Sequence, residues 1–399
     1  MTSEDHYFAA TSGSIYSSGT LNYYSWRGYL EAFEEVVIVA RVKPKLYPEK
    51  DHERSDGPGI SFCALPDYTG PWQYLRARHE AQIITRRAVA QCGVYLLRVP
   101  GLVSQMVWHE LVRSGKPYAL DVVGDPWDAL SPGSWPGILR PAFRLLAAHQ
   151  LKRICARANA VNYVTYAALQ RRYPPAESAY AVGFSDVRLE KGNAHEHLLE
   201  ARLRRLRQSP WRDAKNGSPI RIGFIGSLSG LYKGPDLLLD AAAQCSRDIN
   251  FQLLMVGDGR CLADMKSLAT KLGIAHRVQF LGRLSFGTPI FDFLDNVDLF
   301  ILPSRQEGLP RALIEAMSRG CPCIASTVGG IPELLEAGDL VPPNSSEKLA
   351  KLILKVAGDS DRLLAMSARN LAKAAQFSPE KLNESRRAFL EEVKRRSAL

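Results

Sequence analysis

Along the second half of the chain, short β-branched and apolar runs alternate with longer stretches of helical periodicity. A run at 220–226 precedes the helical text Pro235-Asp-Leu-Leu-Leu-Asp-Ala-Ala-Ala, and a run at 251–257 precedes a helix over about 261–272. The runs 278–281, 299–302 and 322–325 follow, with helices near 290–294 and after Pro310 between them. Serial β-α-β order with right-handed crossovers predicts a parallel, doubly wound sheet.

The first half repeats the pattern less cleanly, with strands expected at 7–10, 36–42, 60–65, 94–99, 118–123 and 161–164. Two Rossmann-like α/β domains are therefore expected, at 1–183 and 219–378. A basic, poorly patterned linker at 184–218 joins them, and a helix within 379–399 is free to pack back onto the first domain. The length of 399 residues, more than one hydrophobic core usually serves, agrees with two domains.

A hydrophobic fraction of 46% with 23% charged residues is ordinary for a soluble globular chain. No apolar run approaches the roughly 18–20 residues of a spanning helix, and Met1-Thr2-Ser3-Glu4-Asp5 lacks the basic, then apolar, start of a signal peptide. A cytoplasmic chain is expected, with peripheral association at the inner face of the membrane as a further expectation. The cysteines (Cys63, Cys92, Cys155, Cys245, Cys261, Cys321, Cys323) form no CxxC pair, so buried thiols are expected rather than disulfides or zinc.

The net charge of +10 is concentrated between Arg140 and Lys215 and points to an anionic partner. Segment 136–158 mixes Leu145, Leu146, Leu151 and Ile154 with Arg140, Arg144, Lys152, Arg153 and Arg157. It suits an anionic membrane surface that presents a lipid-linked glycan, and equally an ordinary helix with core and solvent faces. Nucleic acid is disfavoured, because aromatics are not interleaved at regular spacing.

Ligands of open parallel sheets sit beyond the carboxyl ends of the strands. In Leu302-Pro-Ser-Arg-Gln-Glu307-Gly308-Leu309-Pro310-Arg-Ala-Leu-Ile-Glu315, a strand exits into a helix. Gly308 permits close backbone approach, and the amides that follow suit a diphosphate. Glu307 can accept hydrogen bonds from sugar hydroxyls and Glu315 from a ribose diol. The same text also fits an exposed loop glutamate and an ordinary polar-face one. A second loop, Gly226-Ser227-Leu-Ser-Gly-Leu-Tyr-Lys233-Gly234, offers a lysine to phosphate.

Glu307 and Glu315, with seven residues between, resemble the E-x7-E signature of retaining glycosyltransferase family four, and Gly308-Leu309-Pro310 is similar to that family's text. The Gly226–Gly234 loop resembles its G-R-x4-K-G loop, with Ser227 in place of Arg and one additional residue before Lys233. Val256-Gly-Asp-Gly259, Gly282-Arg283-Leu284 and Thr327-Val-Gly-Gly330-Ile-Pro332-Glu333 follow in family order, and Val182-Gly-Phe-Ser-Asp186 is a distant echo of its interdomain motif.

The resemblance implies a GT-B fold, two Rossmann-like β/α/β domains facing a central cleft. It implies a nucleotide-diphosphate sugar in the C-terminal half, held by Gly226, Ser227, Lys233, Leu284, Glu307, Gly308, Leu309, Pro310 and Glu315, with Gly19 of the N-terminal Gly/Ser loop near the diphosphate. The implied reaction is retaining transfer of a hexose-type sugar to a hydroxyl of a glycan or lipid-linked acceptor, in cell-surface polysaccharide or glycolipid assembly. Lys233 and Glu307 would be catalytic, and no metal or other cofactor is expected.

The N-terminal domain departs from the family at Gly124, where a His is usual, which leaves Asp125 as the candidate replacement. His109 reads as a helix residue and Asp359-Ser360-Asp361 as a helix cap rather than a metal site. A non-catalytic sugar-nucleotide-binding protein and a sugar synthase or phosphorylase on the same fold remain alternatives.

Overall fold

In the computed structural model, residues 1–17, 21–45, 52–130, 139–189, 196–208 and 217–398 are described. The N-terminal domain contains β1 (Thr2–Ala9), β2 (Ile15–Ser17), β3 (Val36–Pro44), β4 (Glu53–Arg54), β5 (Ile60–Leu65), β6 (Leu96–Val99), β7 (Ala119–Val122), β8 (Ala160–Tyr163) and β9 (Tyr180–Gly183). They form one sheet of order β4-β2-β1-β3-β5 and another of order β6-β7-β8-β9. The amide of Arg98 donates to Thr2 Oγ1 at 2.9 Å and ties β6 to the start of β1.

This domain differs from the expectation in two ways. The short β2 and β4 run antiparallel to their neighbours, making a hairpin edge where only parallel strands were expected. β1 also begins at Thr2 rather than residue 7, because its polar residues find partners: Ser3 Oγ lies 3.0 Å from the Tyr7 hydroxyl and His6 Nδ1 2.6 Å from Asp67. β9 closes the second sheet beside β8.

The C-terminal domain is the expected doubly wound unit. Its strands β10 (Ile220–Ile225), β11 (Phe251–Val256), β12 (Val278–Gly282), β13 (Leu299–Leu302), β14 (Cys323–Ser326) and β15 (Leu340–Val341) run parallel in the order β12-β11-β10-β13-β14-β15. β13 lies between β10 and β14, and all four of its residues are buried. A continuous apolar run is what a strand covered on both faces requires.

Segment 184–218 is not simply a linker. Its helix Glu196–Gln208 docks on the C-terminal domain through Arg202, whose buried guanidinium donates to the carbonyls of Val297, Leu294 and Arg319. Arg205 pairs with buried Asp298 at 2.9 Å. Part of the basic surplus is therefore interior scaffolding, not a surface for an anionic partner. Residues 190–195 and 209–216 lie outside the described residues.

The last helix, Pro379–Ser397, lies on the N-terminal domain. Its Phe389 packs edge-on against Phe184, with ring centroids 5.9 Å apart, and Arg396 donates to the Ser178 carbonyl at 2.6 Å. The helix Arg140–Cys155 buries only Leu151, Ile154 and Cys155, near its end. Its first half projects outward, with Leu145 and Leu146 60% and 64% exposed. Among the described residues, no helix is long and apolar enough to cross a membrane.

Candidate functional site

The carboxyl end of β13 opens into Pro303–Pro310 and then the helix Arg311–Ser318. Pro310 is its N-cap and supplies no side-chain cap, so the positive end of the helix faces the loop. Glu307 lies in this loop with its carboxylate 6% exposed. Lys233 Nζ donates to both of its oxygens at 2.8 Å, and Ser304 Oγ donates to Oε1 at 2.6 Å.

That meeting depends on how the two loops are fastened. Arg305 makes a bidentate pair with Asp236 at 2.7 Å and donates to the Leu231 carbonyl, and its backbone amide donates to the Tyr232 carbonyl at 2.7 Å. Gly234 has φ +70°, and a Cβ there would lie 2.1 Å from the Pro303 carbonyl oxygen. Glycine at 234 therefore serves both the turn and the close approach. Gly226 has the same crowding on a smaller scale, with a Cβ meeting the Phe224 ring at 2.8 Å and Lys233 Cβ at 3.1 Å. Ser227 accepts from the Ser229 amide at 3.2 Å and shapes the loop locally.

Glu315 is one turn into the helix and buried. Burial pushes its carboxyl up to about 7, and Arg311 opposes that rise only in part. Arg311 also faces Asp186 at the domain crossover. Burial alone would raise Asp186, but Arg311 and Arg98 overcome it and hold the group below the ordinary carboxylate range. Arg98 reaches Asp186 and Asp121 at 3.1 Å each. Leu284 follows β12 at the carboxyl edge of the sheet and packs partly against the core.

The opposite wall is the N-terminal domain, and the two touch directly. A Cβ on Gly308 would lie 2.5 Å from the Val123 carbonyl oxygen just beyond β7, and one on Gly330 would lie 2.8 Å from Thr165 Cγ2. Across the same seam, Glu333 accepts from the amides of Tyr166, Ala167 and Ala168 at 2.6, 3.0 and 2.7 Å. A carboxylate of one domain thus caps the first turn of a short helix in the other.

Asp125 does not stand free in this cleft. Its carboxylate caps the helix Pro126–Ala129 through the Trp127 amide at 2.8 Å, accepts the Tyr173 hydroxyl at 2.5 Å and pairs with Arg172. Those three partners tie it to the fold of the N-terminal domain. Gly124 is not crowded: a Cβ there would make only an ordinary contact, 3.6 Å from Pro100. Gly19 lies outside the described residues. His109 is on the helix Leu102–Ser114, bonded to the Gln105 carbonyl, and Asp359 caps the helix Ser360–Ala374 through the Arg362 amide.

Ser304, Arg305 and the clasp made by Glu333 are parts of the site that the sequence motifs did not assign. Ser304 and Arg305 sit inside the β13 exit loop, where position alone was a signal. The partners of Glu333 are more than 160 residues away in sequence, and no local pattern reports them.

Residues 207–376 match the family model described as Glycosyl transferases group 1. Protein CapJ of Staphylococcus aureus is 27% identical over 343 residues, covering 83% of this chain and 81% of that one. A GDP-mannose-dependent monoacylated alpha-(1-6)-phosphatidylinositol monomannoside mannosyltransferase of Corynebacterium glutamicum is 35% identical over 163 residues, 38% of this chain and 42% of that one. Among solved structures, sucrose-phosphate synthase of Thermosynechococcus elongatus aligns with a TM-score of 0.67 at 19% identity, covering 98% of both chains. The Anabaena protein HepE in complex with UDP and glucose aligns at 0.63 and 18%, covering 98% of this chain and all of that one. At such identities these structures show the fold, which is GT-B: two Rossmann-like domains about a cleft.

Proposed function

We propose that the chain is a retaining glycosyltransferase that moves a hexose-type sugar from a nucleotide-diphosphate donor to a hydroxyl acceptor in cell-surface polysaccharide or glycolipid assembly. The observation that carries this reading is the part-buried Lys233–Glu307–Ser304 cluster at the uncapped N-terminus of Arg311–Ser318. The family match over 207–376 and the likeness to CapJ support it.

In this reading the donor diphosphate lies between Lys233 and the amides after Gly308. The lysine and the helix dipole stabilise the charge that develops as the nucleotide departs. Glu307 orients the sugar through its hydroxyls, and the buried carboxylate of Glu315 takes the ribose diol. The acceptor attacks on the face the diphosphate leaves, and the departing phosphate receives the acceptor proton. No metal enters this scheme.

The outward half of Arg140–Cys155 favours a membrane-borne acceptor. Exposed Leu139, Phe143, Leu145 and Leu146 accompany Arg140 and Arg144 there. Cosedimentation with phosphatidylglycerol vesicles tests this, and Leu145→Glu with Leu146→Glu should abolish binding. For the main reading, stabilisation is measured against UDP-, GDP- and ADP-sugars, followed by transfer of a labelled sugar. One donor should stabilise the wild type. Binding without turnover on any acceptor would make the chain a sugar-nucleotide-binding protein, and use of a sugar phosphate as donor would make it a phosphorylase.

A further inference from the structure

Lys233 and Glu307 are suited to different parts of a donor, a phosphate and a sugar, yet here they engage each other. The ammonium meets both carboxylate oxygens at 2.8 Å, with the two side chains 22% and 6% exposed. Ser304 donates a further hydrogen bond to the carboxylate, at 2.6 Å.

We propose that this pair is an exchange switch by which the site distinguishes an intact nucleotide sugar from a spent nucleoside diphosphate. The inference rests on the donor-site reading above. A diphosphate entering the site draws Lys233 away from Glu307, and the carboxylate is left buried with Ser304 alone. An ion separated from its partner in a buried site carries a large penalty. An intact donor removes that penalty, because its sugar hydroxyls replace the ammonium as hydrogen-bond donors. A free nucleoside diphosphate brings no hydroxyl to Glu307 and sets more negative charge beside it. Transfer of the sugar therefore weakens the hold on the nucleotide, and Lys233 returns to Glu307 as the product leaves.

The test is calorimetric titration of the full chain with UDP, GDP and ADP and with UDP-glucose, GDP-mannose and ADP-glucose. The wild type should bind the nucleotide sugar of its preferred base more tightly than the matching nucleoside diphosphate. Glu307→Gln should tighten the nucleoside diphosphate by about fivefold or more, the size expected for a coupled contact pair, and should not tighten the nucleotide sugar to the same degree. In a Lys233→Met background that gain should shrink.

A nucleoside diphosphate bound by the wild type as tightly as the nucleotide sugar would overturn the proposal, and that comparison needs no variant. So would weaker or unchanged diphosphate binding in Glu307→Gln, or an equal gain with and without Lys233. If no nucleotide or nucleotide sugar binds any form of the chain, the donor-site reading fails instead.

Discussion

The loops that face the cleft from its two sides treat buried charge differently. In the C-terminal domain, Lys233 and Glu307 neutralise each other beside Ser304 and the Tyr232 ring, an arrangement in which a ligand can take over the role of either partner. In the N-terminal domain, Asp125 is held at once by a helix amide, a tyrosine hydroxyl and an arginine. A charged side chain in a cleft is thus a candidate for chemistry when its partner can be exchanged, and a strut when it has several partners that belong to the fold.

The sharpest way to break this comparison is to remove one charge from each side. Glu307→Ala should lower transfer by about 10²- to 10³-fold, the cost typical of losing one preorganised polar contact at the reacting centre. Some stability is lost with it, since Lys233, 22% exposed, is left without its partner. Retained transfer in this variant would remove the C-terminal site from the chemistry.

Asp125→Ala should do the reverse. Losing the cap and leaving the Tyr173 hydroxyl without its acceptor should cost about 2 kcal/mol of stability, read by urea denaturation. Transfer per folded molecule should change only a few-fold. A fully folded variant with transfer lost would restore Asp125 as a catalytic group and erase the difference between the halves.

The smallest effect sharpens the account of the ribose side. The carboxyl of Glu315 is raised from the ordinary 4.5 to about 7 by burial. The folded chain therefore holds that proton more tightly than the unfolded chain, and this site loses stability as pH rises from about 4.5 through 7. A ribose diol prefers the ionised form, so donor binding should release a proton and strengthen by about tenfold between pH 6 and 8. Calorimetry in buffers of different ionisation enthalpy reads the proton directly. Glu315→Gln should bind more weakly at pH 8 and show neither the slope nor the release.

How much of this was legible in the sequence follows the same division. β13 announces itself because a strand covered on both faces needs an unbroken apolar run, and the exit from Leu299–Leu302 leads to the loop that holds Glu307. β1 starts earlier than its apolar text suggests, since Thr2, Ser3 and His6 are satisfied by residues as remote as Arg98 and Asp67. The helix Glu196–Gln208 was hidden by its arginines, which pattern reading assigns to solvent although Arg202 is buried on three carbonyls. For Asp125, adjacency to Gly124 was visible in the sequence, but its bonds to Arg172 and Tyr173 were not.

The Glu333 clasp bears on how such a chain can change over generations. Its carboxylate grips only main-chain amides at Tyr166, Ala167 and Ala168, and it asks nothing of the side chains there. The seam between the domains therefore places little constraint on the N-terminal sequence along that turn. An N-terminal half can drift along that turn, or be exchanged for another with the same turn, while the C-terminal carboxylate still finds its grip.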